Sequence, residues 1–230
     1  MRPDPAIMMQ GKGPAVMGRK PPRRTKERIL ATALDLFNRH GERGATTSAI
    51  AEAMGISPGN LYYHFKSKEK IVEALFGAYR QEIERTLAAP QTRHSETEDI
   101  WLFLHLVFEA IWKYRFVYRD LNDLVSRYRV LEVQFKRILA HKQRTAADIM
   151  HGLVRGGRMH SSEADIEALA LNMTLIATYW LSFDYVRHPR APQDGSALAR
   201  GAYHVMALAS PYLAPHERAL LDHLAARYKD

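Results

Sequence analysis

From Thr25 onward, apolar residues return every three or four positions, and nowhere do they alternate one by one. That spacing suits one face of an α-helix and not a half-buried strand, so it restricts the chain to an all-α fold. Ile29, Ala33, Leu36 and Phe37 set the first helix, which should stop at His40-Gly41. Thr46-Thr47 caps a short helix from Ser48 to Met54, and Gly55-Ile56-Ser57 makes a tight turn. Ser57 is an N-cap with Pro58 in the first helical position, so a third short helix runs from Pro58 to about Phe65. Ser67 caps a fourth helix reaching about Leu87. After a polar break at Ala88–Thr97, longer helices are expected near Glu98–Tyr114, Phe116–Tyr128, Leu131–Arg155, Ser162–Arg187, Ser196–Leu213 and Pro215–Tyr228. Pro189, Pro192, Pro211 and Pro215 punctuate the last three.

The charge is uneven. Residues 1–70 hold 13 Lys/Arg against 6 Asp/Glu, while residues 71–230 hold 20 against 19. A basic head on a near-neutral body fits a polyanion-binding module, or a solvated surface with a basic tail. Residues 1–22, rich in Met, Gly, Pro and Lys/Arg, read as a disordered basic arm with no apolar core of a signal peptide. No run of about 18 apolar residues appears, so no membrane-spanning helix is expected. The absence of cysteine excludes disulfides and thiolate metal sites and fits a cytoplasmic location. The expected organisation is a basic arm (1–22), a DNA-binding head (23–70) and a body (71–230).

Two short helices joined by a glycine turn form a helix-turn-helix pattern. Ala49, Ala51 and Ala53 let the helices cross closely, and Gly55 tolerates the positive φ of the turn. The second helix would enter the major groove by its N-terminal end.

The string from Gly44 to Lys70 (Gly-Ala-Thr-Thr-Ser-Ala-Ile-Ala-Glu-Ala-Met-Gly-Ile-Ser-Pro-Gly-Asn-Leu-Tyr-Tyr-His-Phe-Lys-Ser-Lys-Glu-Lys) makes the pattern specific. With its flanks, Thr25 to Phe76 resembles the DNA-binding domain of the TetR family. The resemblance implies a phosphate contact for Thr47, which doubles as an N-cap candidate. Ser57, Gly59 and Asn60 would open the recognition helix, and the Asn60 amide can pair with adenine. Tyr62, Tyr63 and His64 would bond phosphates or stack on sugars, and Lys68 would neutralise a phosphate. For Tyr62 and Tyr63 core packing is the competing reading; Leu61 and Phe65 should be core.

In the body, Trp101, His105, Phe108, Trp112, Tyr118, Met173, Tyr179, Trp180 and Phe183 follow helical spacing. They fit a helical core or the lining of a small-molecule pocket, with His105, Asn172, Thr178 and Asp184 as inward polar groups. Trp101-Leu-Phe-Leu-His-Leu106, Tyr114-Arg-Phe-Val-Tyr-Arg-Asp-Leu-Asn-Asp-Leu124 and Phe183-Asp184-Tyr185 resemble PhaD-type TetR regulators of polyhydroxyalkanoate metabolism. That resemblance implies a fatty-acid-derived effector; a broader subfamily sharing Arg119-Asp120-Leu121, with other inducers, is the alternative. Family likeness also implies that the helices near Ser162–Arg187 and Ser196–Leu213 pair in a homodimer, which would read a palindromic operator in double-stranded DNA.

No catalytic or cofactor motif is present: there is no G-x-S-x-G, P-loop, G-x-G-x-x-G or H-E-x-x-H, and His105 with Glu109 alone does not make a metal site. The expected function is therefore a ligand-responsive transcriptional regulator without cofactor, a repressor or an activator. The rival is a binder of nucleic acid by charge alone.

Overall fold

The computed structural model describes residues 22–89, 97–190 and 195–225; the expectations for the arm before Pro22 lie outside them. The chain forms α1 (Pro22–Gly44), α2 (Thr47–Met54), α3 (Pro58–His64), α4 (Lys68–Ala88) and α5 (Thr97–Lys113). It continues through α6 (Arg115–Arg119), α7 (Leu121–Arg127), α8 (Arg129–Arg155), α9 (Glu163–Arg187), α10 (Ser196–Ala209) and α11 (Pro215–Ala225). Among the described residues the β-structure is confined to an isolated antiparallel bridge between Met159 and Leu213.

Among the described residues, α2, α3 and α9 begin at side-chain caps. Ser57 Oγ accepts the Asn60 N–H at 3.2 Å to cap α3. Ser162 and Asp165 form a reciprocal capping box at the start of α9. Ser67, in contrast, sits at the α4 N-cap with no side-chain capping bond. Pro211 turns the expected end of α10 into a 3₁₀ turn, Ser210–Tyr212.

Two departures from helical periodicity matter for function. The segment expected as one helix from Phe116 to Tyr128 breaks at Asp120, giving α6 and α7. The first helix does not stop at Gly41 but kinks there, at φ 76°, and continues to Gly44. A Cβ on Gly41 would stand 3.0 Å from an Arg119 guanidinium nitrogen and 3.1 Å from Asp120 Oδ2. The kink and the break therefore face each other, and the Glu42 N–H donates to Asp120 Oδ2 at 3.4 Å.

The same junction is closed by buried polar groups. Asn38 donates through Nδ2 to the Lys113 carbonyl at 2.9 Å and accepts the Phe116 N–H through Oδ1 at 3.1 Å. One amide from the head thus satisfies the backbone groups exposed where α5 gives way to α6. Glu42 is 1 % exposed. Its carboxylate meets Lys68 Nζ at 3.1 Å, accepts from Tyr128 Oη at 3.0 Å and pairs with the Arg127 guanidinium. Arg127 also reaches Asp123 at 2.7 Å, and Asp123 pairs with Arg43.

Apolar packing crosses the junction as well. One buried cluster runs from Ile29, Phe37, Ile50 and Leu61 through Ile71, Phe76 and Tyr79 to Phe116, Phe135 and Trp180. Helix α4 packs on α1 at one side and on α5 and α8 at the other. Helix α9 lies between α8 and α10. By length and composition it could cross a membrane, but it buries Thr174, Thr178 and Asp184, and Arg200 on α10 holds the Asp184 carboxylate at 2.9 Å.

Burial raises the Glu42 carboxyl, but the bonds from Arg127, Lys68 and Tyr128 outweigh it and hold the group below its ordinary value of 4.5. A depressed carboxyl contributes stability that is present above the unfolded value and lost as pH falls through the folded one. Glu42→Gln should therefore cost about 3 kcal/mol in urea unfolding at pH 7, the lower end for breaking a buried pair. The gap to the wild type should close below pH 4.5.

Candidate DNA-binding surface and effector cavity

Helices α2 and α3 meet across Gly55, which adopts the left-handed conformation (φ 63°) and closes the turn through its N–H. Leu61 and Phe65 face inward and are buried. The opposite side of α3 presents Ser57, Gly59, Asn60, Tyr62 and Tyr63 to solvent, with Tyr63 74 % exposed. Exposed aromatics beside an exposed amide are suited to stacking on sugars and bonding to phosphates and base edges. The competing reading of the two tyrosines as core does not match this exposure.

Thr46, not Thr47, caps α2: its Oγ1 accepts the Ala49 N–H at 3.1 Å. Thr47 is thereby left to share a hydrogen bond with Tyr62 Oη at 3.2 Å, which ties the start of α2 to the outer face of α3. His64 is half-buried and meets Tyr63 edge-on at 5.2 Å. Lys68 is placed differently from the expectation. Its ammonium turns to Glu42 and sits 5.9 Å from the Phe37 ring centre, so it braces the junction between head and body.

In the body, a cavity of about 90 Å³ opens between α4, α5, α8, α9, α10 and α11. Of the nine pocket residues expected from the sequence, Met173 lines it. The Trp101 side chain lies outside the described residues. Phe108 and Tyr118 are fully buried in the main core, and Trp180 is buried with its Nε1–H donating to the Ala197 carbonyl at 2.6 Å. His105 pairs with Glu109 at 3.2 Å on the same helix. Trp112 stacks against Arg115 (4.6 Å) in a separate polar cleft with Arg119, Asp184, Tyr185, His188 and Arg200. Tyr179 and Phe183 point outward from α9. Of the polar groups expected to face inward, Thr178 and Asp184 do so, while Asn172 is exposed.

The physical reason is that aromatic rings pack best on one another. Phe76, Tyr79, Tyr114, Tyr118 and Phe135 form a chain of tilted and edge-on ring contacts with centroids 5.6–6.5 Å apart. Rings that fill space this way leave no void. The cavity is lined mostly by aliphatic residues and methionines, including Met150, Met173 and Met206, with Phe103 as the single ring among them.

Sequence reasoning missed the cavity's most polar member. Lys142, 5 % exposed, is the single charged residue among those that line the cavity. Its Nζ donates to Tyr118 Oη at 3.0 Å, and Tyr118 shares a hydrogen bond with Tyr79. Burial pushes both phenols up and lowers the lysine to about 7. A signal was available: Leu131, Phe135, Ile138, Lys142, Thr145 and Ile149 recur at alternating steps of three and four, which puts the lysine on the inward stripe of α8. Among the described residues no group of three His, Asp or Glu side chains is arranged to hold a metal ion.

Comparison with known proteins agrees with this arrangement. Residues 29–75 match the family model described as bacterial regulatory proteins, tetR family, and residues 78–221 match that of the TetR bacterial transcriptional repressor. The two matches meet inside α4. The chain is 42 % identical over 64 residues to the HTH-type transcriptional regulator UidR of Escherichia coli K12, covering 28 % of this chain and 31 % of that protein. It therefore spans about a third of that relative. Against the HTH-type transcriptional repressor KstR2 of Rhodococcus jostii RHA1, identity is 33 % over 150 residues, 57 % of this chain and 68 % of the other. Among solved structures, a TetR-family transcriptional regulator from Marinobacter aquaeolei VT8 is 33 % identical, with a TM-score of 0.80 over 90 % of this chain and 99 % of that one. The ketosteroid transcriptional regulator KstR2 of Mycobacterium tuberculosis shares the fold at 21 % identity, with a TM-score of 0.61 over 83 % and 95 % of the two chains. With the exposed recognition helix, the all-helical body and a family match across most of its length, the chain belongs to the TetR family of bacterial transcriptional regulators.

Proposed function

We propose that the protein is a ligand-responsive, sequence-specific repressor that acts in the cytoplasm as a homodimer on a palindromic operator and is released by a small apolar effector. The observation that carries this reading is α4. Its first residue, Lys68, holds Glu42 in the head, and Leu87 near its far end lines the cavity. A helix of 21 residues spans about 30 Å at 1.5 Å per residue, so a shift at one end is delivered to the other. An effector releases DNA only if it binds the DNA-free geometry more tightly. Equal effector affinity for the free and the operator-bound protein would sink this mechanism. The resemblance to PhaD-type regulators favours a fatty-acid-derived effector, and the aliphatic cavity supports it.

A dimer is supported by the outer face of α9. Leu171, Leu175, Tyr179 and Phe183 follow one another four residues apart and are all exposed, with Val186 beyond them at 77 %. A contiguous apolar stripe of this kind marks an interaction surface. A two-fold pair would also present two recognition helices to half-sites about one helical turn apart, or a multiple of that.

Selection from random duplex DNA at near-physiological salt should return a palindrome with that spacing. Recovery of no shared sequence, with a steep salt dependence, would favour the charge-only binder. Asn60→Ala should relax one position in each half-site at a cost of about 1–3 kcal/mol. Leu175→Glu, an exposed position, should leave helix content unchanged, yield monomers in sedimentation and abolish tight operator binding. A Leu175→Glu protein that remained dimeric would remove the α9 stripe as the interface.

A further inference from the structure

We infer that the cavity takes an apolar molecule ending in a carboxylate, and that Lys142 is the group that receives that carboxylate. The inference rests on the reading of the cavity as the effector site and adds the chemistry of the effector's head.

An ammonium has three donors, and among the described residues Tyr118 Oη is the one hydrogen-bond acceptor that Lys142 meets. Its amine also lies 4.8 Å from the centre of the Tyr118 ring. Among the described residues the titratable group that meets it is Tyr118 from α6, with Tyr79 from α4 bonded behind Tyr118. Helices α5, α9 and α10 present only apolar side chains and Thr174, whose hydroxyl is committed to the Ala170 carbonyl at 2.8 Å. Among the described residues no carboxylate approaches the amine, and burial alone accounts for its weakened basicity. A buried cation without a counter-ion is costly, and it is satisfied by an anion that arrives with the ligand.

The walls decide what else that ligand must be. One cation in an apolar cavity matches a monoanion; a phosphate dianion would leave charge and lone pairs unmet. An amine would place a second cation beside the first, and an alcohol would leave the lysine uncompensated. The tail must be apolar, because it lies against Leu104, Val107, Ile149 and Leu153. Met150, Met173 and Met206 supply flexible side chains that re-pack around tails of different length.

Binding of a carboxylate favours the charged amine, so it must be coupled to a proton. Lys142 sits at about 7, so at pH 8 the empty site is mostly neutral and fills with uptake of a proton.

Octanoate, 1-octanol and octylamine, which share one tail, are titrated calorimetrically into the full-length protein without DNA, in two buffers of different ionisation enthalpy. Octanoate should bind at least about tenfold more tightly than the other two, take up about one proton at pH 8, and weaken by up to about tenfold per pH unit from 8 to 10. Lys142→Met should erase the preference while octanol still binds. That variant is expected to fold: between pH 7 and 10.5 the unfolded chain holds a proton the folded wild type lacks, so wild-type stability rises with pH. Lys142→Met should accordingly melt above the wild type at pH 7, and the gap should close toward pH 10.5. Equal affinities, no octanoate binding, no proton uptake, or a preference that survives Lys142→Met would each overturn the assignment. Operator selection is independent of all four outcomes, so failure here and failure of the repressor reading are told apart.

Discussion

A carboxylate almost sealed from water holds the two functional halves of this molecule in register. Glu42 belongs to the head, but its partners come from two places: Lys68 opens α4, while Arg127 and Tyr128 close the α7 turn. A buried charge tolerates little displacement of its neighbours, because every lost bond leaves it in a medium that solvates it poorly. The Gly41 kink exists to deliver Glu42 to this point, and the break at Asp120 exists to make room for the kink. Asn38 seals the adjacent gap by bonding backbone groups that two interrupted helices would otherwise leave bare. The helix-turn-helix inherits its orientation from this set of polar bonds.

The body divides its apolar residues between two tasks. Aromatic rings build the rigid part: Tyr79 and Tyr118 satisfy each other's hydroxyls inside a chain of ring contacts that runs to Phe135. Aliphatic residues and methionines surround the space left over. The lysine stands on the border between them, bonded to the rigid part through Tyr118 and lining the space as the one charged residue among its walls. Tyr118 lies on α6, directly after the Asn38 bridge, so the border is one helix away from the head.

How much of this the sequence discloses follows from the range of the forces involved. The helix-turn-helix is written in local chemistry: a glycine where φ must be positive, and Ser57-Pro58 where a helix must start. The outward face of α3 follows from Leu61 and Phe65 being the inward one. The choice of Thr46 over Thr47 as the cap depends on one residue of register, below the resolution of pattern reading. The kink at Gly41 and the break at Asp120 are tertiary effects, since each has its reason in the other and neither segment carries a helix-breaking proline. In the body, aromatic spacing marks packed core and draws attention from the residues that border empty space. Lys142 was legible only as an anomaly, a charge on an apolar period, within the polar run His141 to Arg144.

The continuity of the core through α4 has a consequence for anyone who would treat the head as a portable cassette. The helix-turn-helix is contiguous in sequence, but its seating is not. Asn38, Glu42 and Arg43 grip residues some 75–86 positions away, at Lys113, Phe116, Asp120, Asp123, Arg127 and Tyr128. A chimera that grafts this head onto another regulator's body must transplant the α6–α7 corner with it. The unit of modularity in this protein is an interface, and its boundary cannot be drawn as a single cut in the chain.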